Sequence, residues 1–171
     1  MNILRCKAAI IGDPRVGKTC LINQLIKNYF NNTYQTTLGI DYNTYDAKLK
    51  ESTVQFHIMD FTGFSVFRDL IYSQIKDVNF IIYVYDVTNQ ESFASVKLWK
   101  DSFKEYLKGK NVIEVLVANK VDLVNHYFIS KIDKDYIFYE VIFNGTTTKF
   151  INLMKDQNYN FDTQRKVWIL E

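Results

Sequence analysis

Eight consecutive residues, Gly12-Asp13-Pro14-Arg15-Val16-Gly17-Lys18-Thr19, have the types and spacing needed to hold a chain of phosphates. The glycines let the backbone curl until successive N–H groups point at one spot. Residues 8–11 are apolar and strand-like, and residues 20–26 read as helix, so the run joins a strand to a helix N-terminus. That end of a helix is electropositive and favours an anion. Lys18 is placed to reach the terminal phosphates, and the Thr19 hydroxyl to ligate Mg²⁺. The flanking Asp13, Pro14 and Cys20 complete the expected binding set, and a nucleoside triphosphate is the ligand this run predicts. A chance glycine turn ahead of a helix is the competing explanation, and the strand-loop-helix context disfavours it.

Three more groups carry chemistry. Asp60-Phe61-Thr62-Gly63 ends a second apolar strand pattern. An aspartate there can hold Mg²⁺ through water, and Gly63 can turn its N–H toward a γ-phosphate. D-x-x-G is weak alone and gains from its place at a strand end. Asn119-Lys120-Val121-Asp122 follows another strand. The Asp122 carboxylate can accept two hydrogen bonds from guanine, whereas adenine lacks that pair of donors and would leave it unpaired. A polar strand-to-helix turn is the plainer explanation of that tetrad. Thr37, in a loop, could close on Mg²⁺ when the γ-phosphate is present and release when it is gone; by sequence alone it is also simply a loop threonine.

The elements needed to position these groups are readable in outline. Residues 4–11 predict the first strand and 18–28 a helix. Residues 40–49 and 53–60 alternate around Lys50-Glu51-Ser52, which predicts an antiparallel hairpin. Residues 80–85 and 112–118 are nearly all apolar, as strands buried on both faces would be. Residues 92–108 carry Phe93, Val96, Trp99, Phe103, Tyr106 and Leu107 at helical spacing. A last strand is expected at 137–143 and a last helix at 147–155, with residues 156–171 left unassigned as a C-terminal extension. Strands alternating with helices argue for an α/β fold with a mostly parallel sheet.

With 171 residues, 47% of them hydrophobic, the chain suits one domain with a full core. A net charge of +2 gives no electrostatic case for nucleic acid or a membrane surface. Cys6 and Cys20 look like small buried residues, which points to a reducing compartment and a cytoplasmic location. Neither a signal peptide nor an apolar run long enough to cross a bilayer is present in this sequence.

These motifs in this order resemble the small Ras-like GTPases over roughly residues 4–155, and the Rab branch in particular. Thr36-Thr37-Leu38-Gly39-Ile40-Asp41-Tyr42 is similar to the end of the Rab switch I, and Tyr83-Val84-Tyr85-Asp86-Val87-Thr88-Asn89-Gln90-Glu91-Ser92-Phe93 looks Rab-like. Together with Gly12-Asp13-Pro14, that segment is also similar to the Rab-like GTPase of intraflagellar transport. The resemblance implies a small G domain: six mostly parallel strands, one antiparallel edge strand, and helices on both faces. It implies GTP/GDP and Mg²⁺ as ligands, with Thr19 and Thr37 on the metal directly and Asp60 through water. Lys18, Thr37 and Gly63 would serve the attack of water on the γ-phosphorus. Asn119, Lys120 and Asp122 would read the base, helped by the 143–144 loop through Phe143 and Asn144. Phe30 would lie edge-on to guanine, unless it packs in the core at a helix end. An exchange factor, an effector and an activating protein would meet residues 31–44 and 61–78 of a monomeric protein.

Four departures from the family pattern matter. Phe64 follows Gly63 where the family has the glutamine that orients water, so intrinsic hydrolysis is expected to be slow. Pro14 offers no N–H to phosphate, but the main donors are expected at residues 15–19. Ile142-Phe143-Asn144 stands where the family has S-A-K, which predicts a weakened grip on guanine. Met59, Gln74 and Ile75 replace aromatics with which Rabs read effectors. The sequence ends without a terminal cysteine, so either a lipidated tail is missing from it or membrane attachment is indirect. Trp168 and Ile169 are expected to pack back on the body. A hydrolysis-deficient scaffold that holds a partner in one fixed state is the alternative function, and an ATP-dependent enzyme is disfavoured by the 119–122 tetrad.

Overall fold

A computed structural model describes residues 2–31, 33–48, 52–123, 137–140, 160–162 and 167–169, the last three stretches by their backbone. Its main sheet has six strands in the order β2-β3-β1-β4-β5-β6. These are β1 (Asn2–Ile11), β2 (Ile40–Lys48), β3 (Ser52–Phe61), β4 (Phe80–Asp86), β5 (Ile113–Asn119) and β6 (Ile137–Glu140). All neighbours run parallel except β2, which pairs antiparallel with β3 along its whole length, Ile40 opposite Phe61 and Lys48 opposite Thr53. The expected α/β sheet with one antiparallel edge strand is therefore present.

Crossover segments cover both faces because the strands carry apolar side chains on both. Along β4, Ile81, Tyr83 and Tyr85 enter one core while Ile82 and Val84 enter the other. The first core is roofed by α2 (Arg68–Gln74) and α3 (Gln90–Leu107), which contribute Ile71, Val96, Trp99 and Phe103. The second is roofed by α1 (Lys18–Lys27) through Leu21, Ile22 and Leu25. Each such side chain, fully buried, contributes on the order of 1.5–3 kcal/mol, so the sheet is pinned from both sides.

Helix ends follow their local chemistry. Asn89 caps α3, its side chain accepting the Glu91 N–H at 3.0 Å. Asn28 closes α1 in the left-handed conformation, with its N–H returned to the carbonyls of Asn23 and Gln24. Among the described residues no helix is long and apolar enough to cross a membrane.

Some expectations need adjustment. The strand count is exceeded: β7 (Asn160–Asp162) and β8 (Val167–Ile169) form a separate antiparallel pair, Phe161 opposite Trp168, where no element was assigned. Three residues per strand are too few to show a period in sequence. Cys6 is buried, but Cys20 is only half-buried, because it lies in the first turn of α1 beside the phosphate loop rather than under the sheet. The expected helix at 147–155 lies outside the described residues.

Candidate functional site

Four parallel strands deliver their carboxyl ends to one edge of the sheet. At these ends stand Gly12 just after β1, Asp60 in β3, Asp86 in β4 and Asn119 in β5. Ligand sites of open α/β sheets form at such an edge.

The 12–17 loop turns tightly against this edge. A Cβ on Gly12 would lie 2.2 Å from the Val84 carbonyl oxygen, and one on Gly17 would lie 2.2 Å from Nδ2 of Asn119. Gly17 also sits at φ 98, which only glycine adopts without strain, and leads into α1. No side chain caps α1, and no acidic residue lies in its first turn. Its electropositive end is thus left for an anion. Lys18 is 6% exposed, and its ammonium donates to the carbonyls of Gly12 at 2.9 Å and Asp13 at 2.8 Å. Burial pulls its pKa down to about 8, against the raising effect of Asp60 and Asp13.

Three oxygens from distant parts of the chain meet beside Lys18. The Thr19 hydroxyl donates to Oδ2 of Asp60 at 2.5 Å and lies 2.9 Å from the Thr37 hydroxyl. Asp60 is fully buried, and its Oδ1 has no hydrogen-bond partner among the described residues. Burial raises its pKa to about 6, although Thr19 and Lys18 act to lower it. One orphaned carboxylate oxygen and two hydroxyls are hard donors that suit Mg²⁺, an ion bound through few protein groups alongside phosphate oxygens. The residues present fit that cation.

Gly63 packs on the phosphate loop itself: a Cβ there would lie 2.2 Å from the Pro14 nitrogen and 2.3 Å from the Asp13 carbonyl carbon. The Thr62 N–H donates to the Gly39 carbonyl at 2.9 Å, which joins the segment around Thr37 to the one around Gly63. Phe64 is 42% exposed beside Asp13, Pro14, Arg68 and Trp99, along a cavity of about 330 Å³.

On the other side of the loop, the buried Asn119 donates from Nδ2 to the Val16 carbonyl at 2.6 Å, and its Oδ1 has no partner among the described residues. Lys120 donates to the Arg15 carbonyl at 2.9 Å and pairs with Asp86. Burial alone would push the Asp86 carboxyl up, but bonds from Lys120 and Thr88 hold it below its ordinary value. Asp122 lies exposed in the one-turn helix Val121–Leu123.

The 12–20 run, Thr37, Asp60, Gly63, Asn119 and Lys120 are thus brought to one place. Phe30 is 47% exposed just past α1, so it is no core residue. Phe143 and Asn144 lie outside the described residues. Of the three positions expected to alter effector reading, Met59 and Ile75 are buried and Gln74 is exposed. Sequence reasoning missed three supporting groups: Asp86, which pins Lys120; Trp99, whose indole N–H donates to Oδ1 of Asp13 at 2.9 Å; and Tyr34, whose ring lies under the Arg15 guanidinium. Asp86 has a local signal, the Asp-x-Thr turn in which Thr88 returns both its N–H and hydroxyl to the carboxylate. The other two have none.

Set against families of known proteins, residues 7–161 match the model of the Ras family.

Proposed function

Because the chain belongs to the Ras family, whose small GTPases bind GTP and GDP with Mg²⁺ as switches, we propose a Rab-type switch with slow intrinsic hydrolysis. The observation that carries the switch is the meeting of Thr19, Thr37 and Asp60. Thr37 belongs to a loop, and its hydroxyl reaches the site only while residues 33–39 lie folded against it.

In this reading the loop amides of residues 15–19 and the Lys18 ammonium hold the phosphates, with Asp13, Pro14 and Cys20 alongside. Thr19 and Thr37 would ligate Mg²⁺ and Asp60 would hold it through water, a cation that would supply charge neutralisation to the phosphate oxygens. Gly63 offers its N–H to the γ-phosphate. Asn119, Lys120 and Asp122 fix the base, with Phe30, Phe143 and Asn144 at its margin. Phe64 can neither donate to nor accept from water, so it cannot orient the attacking molecule as the family's glutamine does. The effector and exchange surface comprises residues 31–44 and 61–78, where Leu38 is 83% and Val66 81% exposed. The protein acts as a cytoplasmic monomer in intracellular transport, peripheral to a membrane.

Phe64 also favours a second reading, a nucleotide-stabilised scaffold that holds one partner in one state. The first test is to denature the purified protein and identify the released nucleotide by chromatography, then to measure multiple-turnover hydrolysis. Retained GTP and a rate raised by Phe64→Gln support slow switching. Equal, measurable rates for wild type and Phe64→Gln would refute the role given to Phe64, whereas no turnover in either supports the scaffold.

A further inference from the structure

Arg15 holds a position that suits glycine. Its φ of 65° is left-handed, a conformation that strains a residue bearing a side chain. Such strain persists where surrounding contacts over-determine it. Here the Arg15 carbonyl accepts from Lys120 at 2.9 Å, and the next carbonyl, of Val16, accepts from Asn119 at 2.6 Å. The backbone of Arg15 is therefore fixed from the base side of the site. Its side chain turns the other way: the guanidinium carbon lies 5.1 Å from the centroid of the Tyr34 ring. That is within range of a cation–π contact.

Tyr34 stands three residues before Thr37, in the same loop. The loop is thus fastened to the phosphate loop at two points of different chemistry. Thr37 is held through Thr19, next to the proposed cation and γ-phosphate, and its hold varies with them. The contact of Tyr34 with Arg15 involves neither group.

We infer that Arg15 and Tyr34 form a clamp that holds the Tyr34 end of residues 33–39 against the phosphate loop whether or not the γ-phosphate holds Thr37, and so slows nucleotide release. The clamp rests on the guanine-nucleotide reading of the site. Arg15 and Tyr34 are positioning residues in it; neither is asked to touch the reacting atoms. A partner that draws Tyr34 away from Arg15 would open the site without disturbing the metal ligands.

The test is dissociation of a fluorescent N-methylanthraniloyl-GDP from wild type, Arg15→Gly, Tyr34→Ala, the double variant and Tyr34→Trp, with urea unfolding of each. Each single variant should release nucleotide about two- to five-fold faster, the span expected of an exposed cation–π contact. The double variant should be no faster than the singles, and Tyr34→Trp should restore slow release. Arg15→Gly should not lower the unfolding midpoint, because glycine accepts this φ freely. A merely structural role would lower it. Wild-type release rates in the singles, or additive effects in the double, overturn the clamp while leaving the nucleotide reading intact. A fast Arg15→Gly beside an unchanged Tyr34→Ala overturns it too, since the guanidinium would then act alone. If wild type binds no guanine nucleotide, both readings fall.

Discussion

Replacing Gly63 by alanine isolates the contact on which γ-phosphate sensing depends in the proposed function. The backbone of Gly63 does not lie in the left-handed region, so alanine meets no conformational penalty there. The cost is steric. The new Cβ would lie 2.2 Å from the Pro14 nitrogen, 2.3 Å from the Asp13 carbonyl carbon and 2.7 Å from its oxygen. Comfortable separation is about 3.5–4.0 Å, so the two segments must part by roughly 1 Å or more. All three obstructing atoms are backbone, and Asp13 is further restrained by the Trp99 hydrogen bond. Overpacking of this kind costs about 1–3 kcal/mol, offset by about 0.4–1 kcal/mol from the stiffer unfolded chain. The mid-range net loss is about 1.3 kcal/mol, so with a urea slope of about 2 kcal/mol per molar the midpoint should fall by roughly 0.6 M. Displacing the Gly63 N–H should also weaken GTP by about tenfold or more, the worth of a hydrogen bond to a charged group, and GDP by less. Gly109→Ala is the control: at φ 75 it is strained, but a Cβ there meets nothing within 4 Å, and it lies outside the site. It should lose stability without changing the ratio of GTP to GDP affinity. A Gly63→Ala protein with the wild-type midpoint and wild-type GTP affinity would refute the packing argument.

Asp122→Asn should weaken GTP and admit xanthine nucleotides in a competition assay; unchanged GTP affinity would remove Asp122 from the base site. Ser92 is buried, accepts the Asp86 N–H at 3.0 Å and donates to the Asn89 carbonyl at 2.7 Å, so Ser92→Ala should cost about 1–3 kcal/mol in urea unfolding; no loss would mean the Asp86 N–H finds another partner. Burial pushes the Cys6 thiol from 9.0 up to about 11, so the fold favours its protonated form. Its contribution is complete below pH 9 and is lost as pH rises toward 11, and Cys6→Ala should flatten that part of a melting-temperature profile; parallel profiles for wild type and variant would contradict this.

How far the sequence could be read depended on whether a feature was contiguous. The 12–19 run lies in eight successive residues, so its types and order declare it. The apolar run of β4 likewise announces a strand buried on both faces. The hairpin of β2 and β3 shows through its alternation, because one edge strand faces solvent. By contrast, Trp99 and Asp13 are 86 residues apart, and Arg15 and Tyr34 belong to different loops. Such pairs follow from how α3 and the loops settle on the sheet, which no local period encodes. Trp99 read simply as one apolar position in a helical stripe. The scattered residues Thr37, Asp60 and Lys120 could be proposed only through their motifs. What brings them together is the shared carboxyl edge of parallel strands, a property of topology.

The position of Trp99 has a practical consequence. This chain has two tryptophans, and one of them is buried with its indole N–H on Asp13 and the Arg68 guanidinium 5.1 Å above its ring. One fluorophore therefore touches the loop proposed to hold the phosphates and the segment that follows Gly63. In a Trp168→Phe background the remaining tryptophan emission, excited at the red edge where tyrosine does not absorb, comes from Trp99 alone. Loading, Mg²⁺ removal and hydrolysis could then be followed as intensity or wavelength changes in unlabelled protein.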